Sequence, residues 1–267
     1  MAEIQLQYSF QDRDVARMVS LGGSCNRCEL SGRDLTGAAF TGAIFTNATL
    51  VGANLRGAEM IGSNFSGSDF SRAELSGAGM MGANFTGASF ARADLTGVMA
   101  TGATLVRARF DGADLTGAEL NGANMNGADF SEADLSGAEM NATTLANVNA
   151  RRADFSNAEI SMSNLSNGDF RNASFRGAEL NGARLTGGQF AGADFRDAEL
   201  HRADLRGANL SGARGLTQEQ VGRACGDAST RLPAGLSART CRSVLRIAPP
   251  IPPTPPRVRN FVVASGH

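Results

Sequence analysis

An apolar residue occupies every fifth position from 30 to 210 without exception, most often Leu, Phe or Met. The stretch Ala113-Asp114-Leu115-Thr116-Gly117 shows the unit: Ala two before the apolar centre, a polar residue before it, Gly two after it. Helices repeat every 3.6 residues and strands every 2, so a period of five describes neither. It describes a chain that turns a corner in each unit and stacks on itself, a solenoid. A period of twenty lies inside the period of five. Phe70, Phe90, Phe110, Phe130, Phe170 and Phe190 share one column, and Leu35, Leu55, Leu75, Leu95, Leu115 and Leu135 another. Polar columns sort in the same way: Asn64, Asn84, Asn124 and Asn164, then Glu119, Glu139, Glu159, Glu179 and Glu199. Four units therefore make one coil, with like residues stacked on like.

These units resemble the pentapeptide-repeat family, and the resemblance runs through about 37 consecutive units. It implies an all-β solenoid, a right-handed four-sided (quadrilateral) β-helix with short terminal helices. About nine coils at the roughly 4.8 Å spacing of paired strands give a rod roughly 45 Å long. The central Leu, Phe or Met and the Ala before it point inward, and Gly relieves the corner. Three parts follow: a leader over residues 1–23, the repeat over 24–214, and a capping helix with a proline-rich tail over 215–267. In the leader, residues 12–21 read as a short helix with Val15, Met18 and Val19 on one face. After the repeat, Thr217 is a good N-cap with Gln220 three residues on, a capping box, and Leu216 and Val221 suit a hydrophobic staple. Gly226 reads as the C-cap, and residues 249–256 read as extended or disordered. Open ends of a stacked sheet invite association; the leader and the Thr217 helix are placed to cover them.

Composition excludes several function classes. Net charge is −1, which gives no overall pull toward nucleic acid or an anionic membrane. Every one of the 25 basic residues is Arg, so Lys-dependent phosphate loops and Schiff-base chemistry are absent. The repeat holds 21 acids and 16 arginines, and the segment after it 7 arginines and 2 acids. No stretch approaches the roughly 20 apolar residues of a membrane span. The N-terminus lacks the basic and apolar regions of a signal peptide, so the expected compartment is cytoplasmic. A removed signal and a periplasmic or exported location is the alternative, which the even number of cysteines, Cys25, Cys28, Cys225 and Cys241, keeps open. Cys25 and Cys28 read as structural thiols or a local disulfide of the first coil, and a Cys225–Cys241 bond would suit an exported protein. Zinc needs four ligands at suitable spacing, and only two are local, so no metal or cofactor is expected. Nucleophile elbows and zinc-protease motifs are missing, and no enzyme is expected.

Several departures from the repeat stand out. The centres Ala100 and Ala150 are small, and the inward residues before them, Val98 and Val148, are enlarged. Small centre and larger neighbour together read as volume compensation in a packed core. Arg33 in an inward column suggests an irregular first coil. Ile61 and Met81 take the same outward position on successive coils, and Met99 lies on that face in the next. Gly79 and Ala39 replace charged residues there, so Ile61, Met81 and Met99 form the candidate partner surface. The competing surface is an acidic strip of Asp94, Asp114, Asp134, Asp154 and Asp194, with Arg92, Arg152, Arg176, Arg196, Arg202 and Arg206 near enough to screen the acidic columns. The first reading is a non-enzymatic protein–protein interaction scaffold, with possible self-association through the rod ends and no direct binding of nucleic acid. The alternative, implied by the family resemblance, is a DNA mimic that binds DNA gyrase or topoisomerase and protects it from quinolones.

Overall fold

A computed structural model describes residues 23–241 of the chain. Within them each unit makes one rung and one corner. The residue before each apolar centre pairs in parallel with the residues twenty before and twenty after it, as in Asp94–Asp114–Asp134. This register begins at Ser24–Ile44 and continues unbroken to Asp194–Arg214. One unit shows the hydrogen bonding: Leu115 N donates to Asp134 O (2.7 Å), Gly117 N to Ser136 O (3.0 Å), Ala118 N to Leu115 O (3.0 Å), and Glu119 N to Val98 O (2.8 Å). Three of these bonds tie coil to coil and one closes the corner. The fifth amide, on the residue after the centre, takes no backbone partner and is left for side chains. The residue two after the centre has a left-handed backbone, for example Gly117 at φ 62° and Asn147 at φ 59°. That conformation is easy for Gly and tolerable for Asn. The chain is thus a β-helix solenoid of twenty-residue coils, with four rungs and four corners in each.

Inside the coils the side chains follow the same register. Phe90, Phe110 and Phe130 stack with ring centroids 5.0 and 4.8 Å apart and planes within 4°. That spacing matches the spacing of paired strands, so one geometry satisfies both the backbone ladder and the ring contacts. Where a hydroxyl replaces the inward Ala it finds a carbonyl: Ser68 Oγ donates to Phe45 O (2.6 Å) and Thr143 Oγ1 to Met140 O (2.8 Å). A buried polar group with a partner costs little.

The compensated positions are buried, with Val98 and Ala100 each 1% exposed, and Val148 at 2%. The Phe column breaks at Ala150 and resumes with Phe170 and Phe190, stacked at 4.9 Å. In this second run the inward Ala is replaced by Gly168 and Gly188. A methyl group on Gly168 would stand 2.5 Å from Phe170 Cε2 and 3.2 Å from Val148 Cγ2. Gly168 therefore makes room for the ring that adjoins the missing one, and Val148, Ala150, Gly168 and Phe170 pack as one group.

The C-terminal end closes by substitution. Helix α1 (Gln218–Arg223) takes the place of the next rung above Glu199, and the chain then rejoins the register through the pairs Asp204–Cys225 and Asn209–Arg231. The capping box forms, with Thr217 Oγ1 accepting from Gln220 N and Gln220 Oε1 accepting from Thr217 N. The same Gln220 side chain donates through Nε2 to Phe195 O and Ala198 O, each at 2.9 Å. It thereby supplies the donor that a further coil would have offered to Ala198. Gly226 is not the C-cap: α1 ends at Arg223 with Ala224 as the cap, and Gly226 belongs to β1 (Cys225–Gly226), which pairs in parallel with β2 (Arg239–Thr240). Nor is the first coil irregular at Arg33, whose amide and carbonyl make the ordinary bonds to Leu30 O and Asn54 N. The helix over residues 12–21 and the extended run over 249–256 lie outside the described residues.

Three substitutions test the packing by urea unfolding. Val98→Ala should lower stability by roughly 1–3 kcal/mol through the cavity it opens, and adding Ala100→Leu should restore much of the loss. Gly168→Ala should cost about 1–3 kcal/mol through crowding against Phe170. Strict additivity of the first pair, or a neutral Gly168→Ala, would contradict inward packing at these sites.

Candidate functional site

The side that carries the centres Phe40, Met60 and Met80 divides into two halves. Its rungs run Ala39, Glu59, Gly79, Met99, Glu119, Glu139, Glu159, Glu179 and Glu199. The neighbouring corner column runs Thr41, Ile61, Met81, Thr101, Asn121, Asn141, Ser161, Asn181 and His201.

In the first half Met81 is 45% exposed and Met99 40%, while Ile61 is only partly exposed. Ile61 leans toward the neighbouring coil: its Cγ1 lies 3.8 Å from where a Cβ on Gly79 would sit, and Gly79 is buried. Ile61 therefore partly covers Gly79 and is partly exposed. Sequence reading missed Ile44, which is 49% exposed and sits just past the Thr41 corner, beside the same strip. Its signal was available, an apolar rung residue between Ser24 and Asn64. Glu59 stands between Ala39 and Gly79 and interrupts the apolar column. Met162, 74% exposed, shares the corner four coils further on.

In the second half three of the five glutamates are held by amides, and among the described residues none by an arginine. Asn121 donates to Glu139 (3.0 Å), Asn141 to Glu159 (3.0 Å) and Asn181 to Glu199 (2.7 Å). Asn121 also accepts the amide of Asn141, and Asn181 that of His201. Among the described residues none of Glu119, Glu139, Glu159, Glu179 and Glu199 makes an ion pair within 4 Å.

The aspartate strip is one continuous column from Asp94 through Asp114 and Asp134 to Asp154, and Ser174 separates it from Asp194. Its carboxylates have local work. Each accepts the otherwise unpaired corner amide two residues on: Thr96 N to Asp94 (3.0 Å), Thr116 N to Asp114 (2.9 Å), Ser136 N to Asp134 (2.9 Å) and Ser156 N to Asp154 (2.8 Å). Asp194 is 5% exposed and is bound by Arg196, whose hydrogen bond holds its carboxyl below the usual range. Of the six arginines expected to screen the acidic columns, only Arg152, Arg196 and Arg206 make ion pairs among the described residues, with Glu132, Asp194 and Asp204. An ion pair exposed on both sides, such as Arg152–Glu132, contributes little.

Cys25 and Cys28 form a disulfide with Cα atoms 5.7 Å apart, and Cys225 and Cys241 another at 4.8 Å. Both separations lie in the range a disulfide spans. The second bond fastens the end of β2 to the last coil. A carboxylate oxygen of Asp204 lies within 4.8 Å of both sulfurs of this bond, but sulfurs joined to each other are not thiolate ligands for a metal. Two shallow recesses of about 390 Å³ each mark the surface, one between α1 and the last coil beside His201, the other among Arg151, Arg152 and Arg171.

Asp227 anchors the chain after α1. Its Oδ1 accepts from Ser229 Oγ (2.7 Å), Gly207 N (3.1 Å), Ser229 N (3.0 Å) and Thr230 N (3.1 Å). These bonds, the Ser229 hydroxyl first, lower its pKa to about 2. A carboxylate whose folded pKa is depressed adds stability above its unfolded pKa, about 3.9, and loses it as pH falls through 2. Amide protection over residues 207–231, taken relative to the exchange rate of an unstructured chain at the same pH, should therefore fall between pH 4 and pH 2 in the native chain. Asp227→Asn should remove most of that pH dependence; an unchanged profile would contradict the assignment.

Comparisons with known proteins bear on this geometry. A family model described as pentapeptide repeats matches in eight copies, over segments running from residue 24 to residue 212. HetL, a pentapeptide repeat protein involved in heterocyst differentiation regulation from the cyanobacterium Nostoc sp. strain PCC 7120, is 32% identical over 76% of this chain and 90% of that one, with a TM-score of 0.59. A trypsin-treated form of QnrB1, a plasmid-mediated fluoroquinolone resistance protein, is 22% identical over 77% of this chain and 93% of that one, with a TM-score of 0.42. A pentapeptide repeat protein of the Arabidopsis thaliana thylakoid lumen is 34% identical over 40% of this chain and 68% of that one, with a TM-score of 0.18. No curated protein matches the sequence.

Proposed function

The chain belongs to the pentapeptide-repeat family, and on that premise we propose that it is a non-enzymatic scaffold for protein–protein interaction, built on a right-handed four-sided β-helix. The observation that carries this reading is the apolar strip on an otherwise polar rod. Ile44, Met81 and Met99 are 40–49% exposed on adjoining positions of neighbouring coils, with Ile61 between them. Large apolar side chains grouped on a surface favour burial against another protein. A rod whose corners are filled by their own carboxylates and amides offers rungs for contact more readily than a site for chemistry.

The second reading, a DNA mimic directed at gyrase or topoisomerase, draws on the five glutamates that make no ion pair among the described residues. Their regular spacing supports it. The aspartate strip supports it less, because those carboxylates cap their own corners and Ser174 breaks the row. The bonded cysteine pairs favour an oxidising compartment, and so the exported alternative over a cytoplasmic one. Among the described residues no helix is long and apolar enough to cross a membrane.

A binding series separates the two readings. The partner captured by the native chain from its host is titrated against two triple variants at two salt concentrations. Combined Ile61→Ser, Met81→Ser and Met99→Ser should weaken binding by about tenfold or more, since hot-spot truncations cost roughly 2 kcal/mol or more, and should leave the melting temperature nearly unchanged. Glu139→Gln, Glu159→Gln and Glu179→Gln together should matter little. Binding lost with the glutamate set, retained with the apolar set and steeply salt-dependent would overturn the scaffold reading in favour of the mimic.

A further inference from the structure

We propose that residues 1–22 of this same chain dock on the strip of Ile44, Ile61, Met81 and Met99, making the N-terminal segment the strip's own occupant. The docking rests on the surface described above, and only its consequence, that an outside partner must displace the segment, rests on the scaffold reading.

Placement comes first. The described chain starts at Gly23, and Ser24 pairs directly with Ile44, the first residue of the strip. The corner column of Thr41, Ile61 and Met81, extended down by one twenty-residue step, reaches position 21. The segment thus leaves the coil at the foot of the column it would cover. The Cys25–Cys28 bond fastens the turn from which it departs.

Length agrees. From Ile44 to Met99 the chain climbs a little under three coils, roughly 13 Å at the spacing of paired strands. The ten-residue helix read from residues 12–21 would be about 15 Å long.

Chemistry agrees as well. Val15, Met18 and Val19 give that helix an apolar face, and Ile4, Leu6, Tyr8 and Phe10 precede it. Size also argues for an occupant from the same chain. Four large apolar residues would form only the centre of the roughly 800 Å² per partner that a stable interface between free proteins buries. A tethered segment needs less, because the link already holds it at high effective concentration.

The test uses the full chain, with methionine methyl groups labelled for NMR. Met81 and Met99 report on the strip; Met125 and Met140, both 0% exposed, and Met162, distant on the same corner, serve as controls. Val15→Asp combined with Val19→Asp should shift the Met81 and Met99 signals and leave the controls in place. The same variant should raise the fluorescence of the apolar dye anilinonaphthalene sulfonate about twofold or more as the strip is uncovered. Deleting residues 1–22 should reproduce both effects, and the point variants guard against a deletion that disturbs the first coil. Unmoved Met81 and Met99 signals in both variants would overturn the proposal. So would signals that move on diluting the native chain together with a dimeric mass by light scattering, which would assign the strip to a second copy. No partner is present in this experiment, so its failure is separate from failure of the scaffold reading.

Discussion

The structure depends on a backbone ladder with a fixed offset of twenty residues. Four amides in every five are used in it or in closing a corner, and each coil supplies both the donors and the acceptors its neighbours need. Side chains are constrained as a result: whatever stands at a position stacks on its counterpart about 4.8 Å away. Inward, this favours flat or flexible apolar groups, and the rings of Phe90, Phe110 and Phe130 repeat at that distance. Outward, it places like charges against like, as in the column from Glu119 to Glu199, where Asn121, Asn141 and Asn181 of the neighbouring corner column each bond a glutamate of the next coil.

Much of this was legible in the sequence because the period is a property of the chain itself. The apolar centres, the twenty-residue register and the Thr217 capping box all depend on residues whose spacing can be counted. The surface was less legible, because its chemistry depends on where side chains turn. Asp114 reads as an exposed charge, yet it accepts the amide of Thr116 and completes a corner. Ile61 reads as a contact residue, yet much of it lies over Gly79. Gln220 reads as half of a capping box, and its reach to Ala198 O joins groups 22 residues apart. Gly226 misled as a C-cap because the chain after Arg223 returns to the ladder, a tertiary demand that local turn preference does not carry.

The ends of such a rod pose a different problem from its sides. A further coil would always be satisfied, so growth must be stopped by groups that mimic a coil without offering a new edge. The α1 helix does this at the C-terminal end, where a side-chain amide stands in for a backbone donor and a disulfide fixes the last two strands. The apolar strip lies near the opposite end, close to where the chain enters its first coil. Exposed apolar residues and the first described coil therefore lie near one end, and the remainder of that side is acidic and amide-rich.

The central claim is that one twenty-residue register organises the whole chain, and residue-resolved amide exchange tests it most directly. Across residues 44–200 protection should rise and fall with a period of five. The amide of each apolar centre and those two and four residues beyond it should exchange slowly, because they bond between coils. The amide just after each centre should exchange fastest, except where the side-chain oxygen of an Asp or Asn caps it. Protection with a period of two or 3.6, or a slow amide at every uncapped corner, would contradict the stacked-coil account.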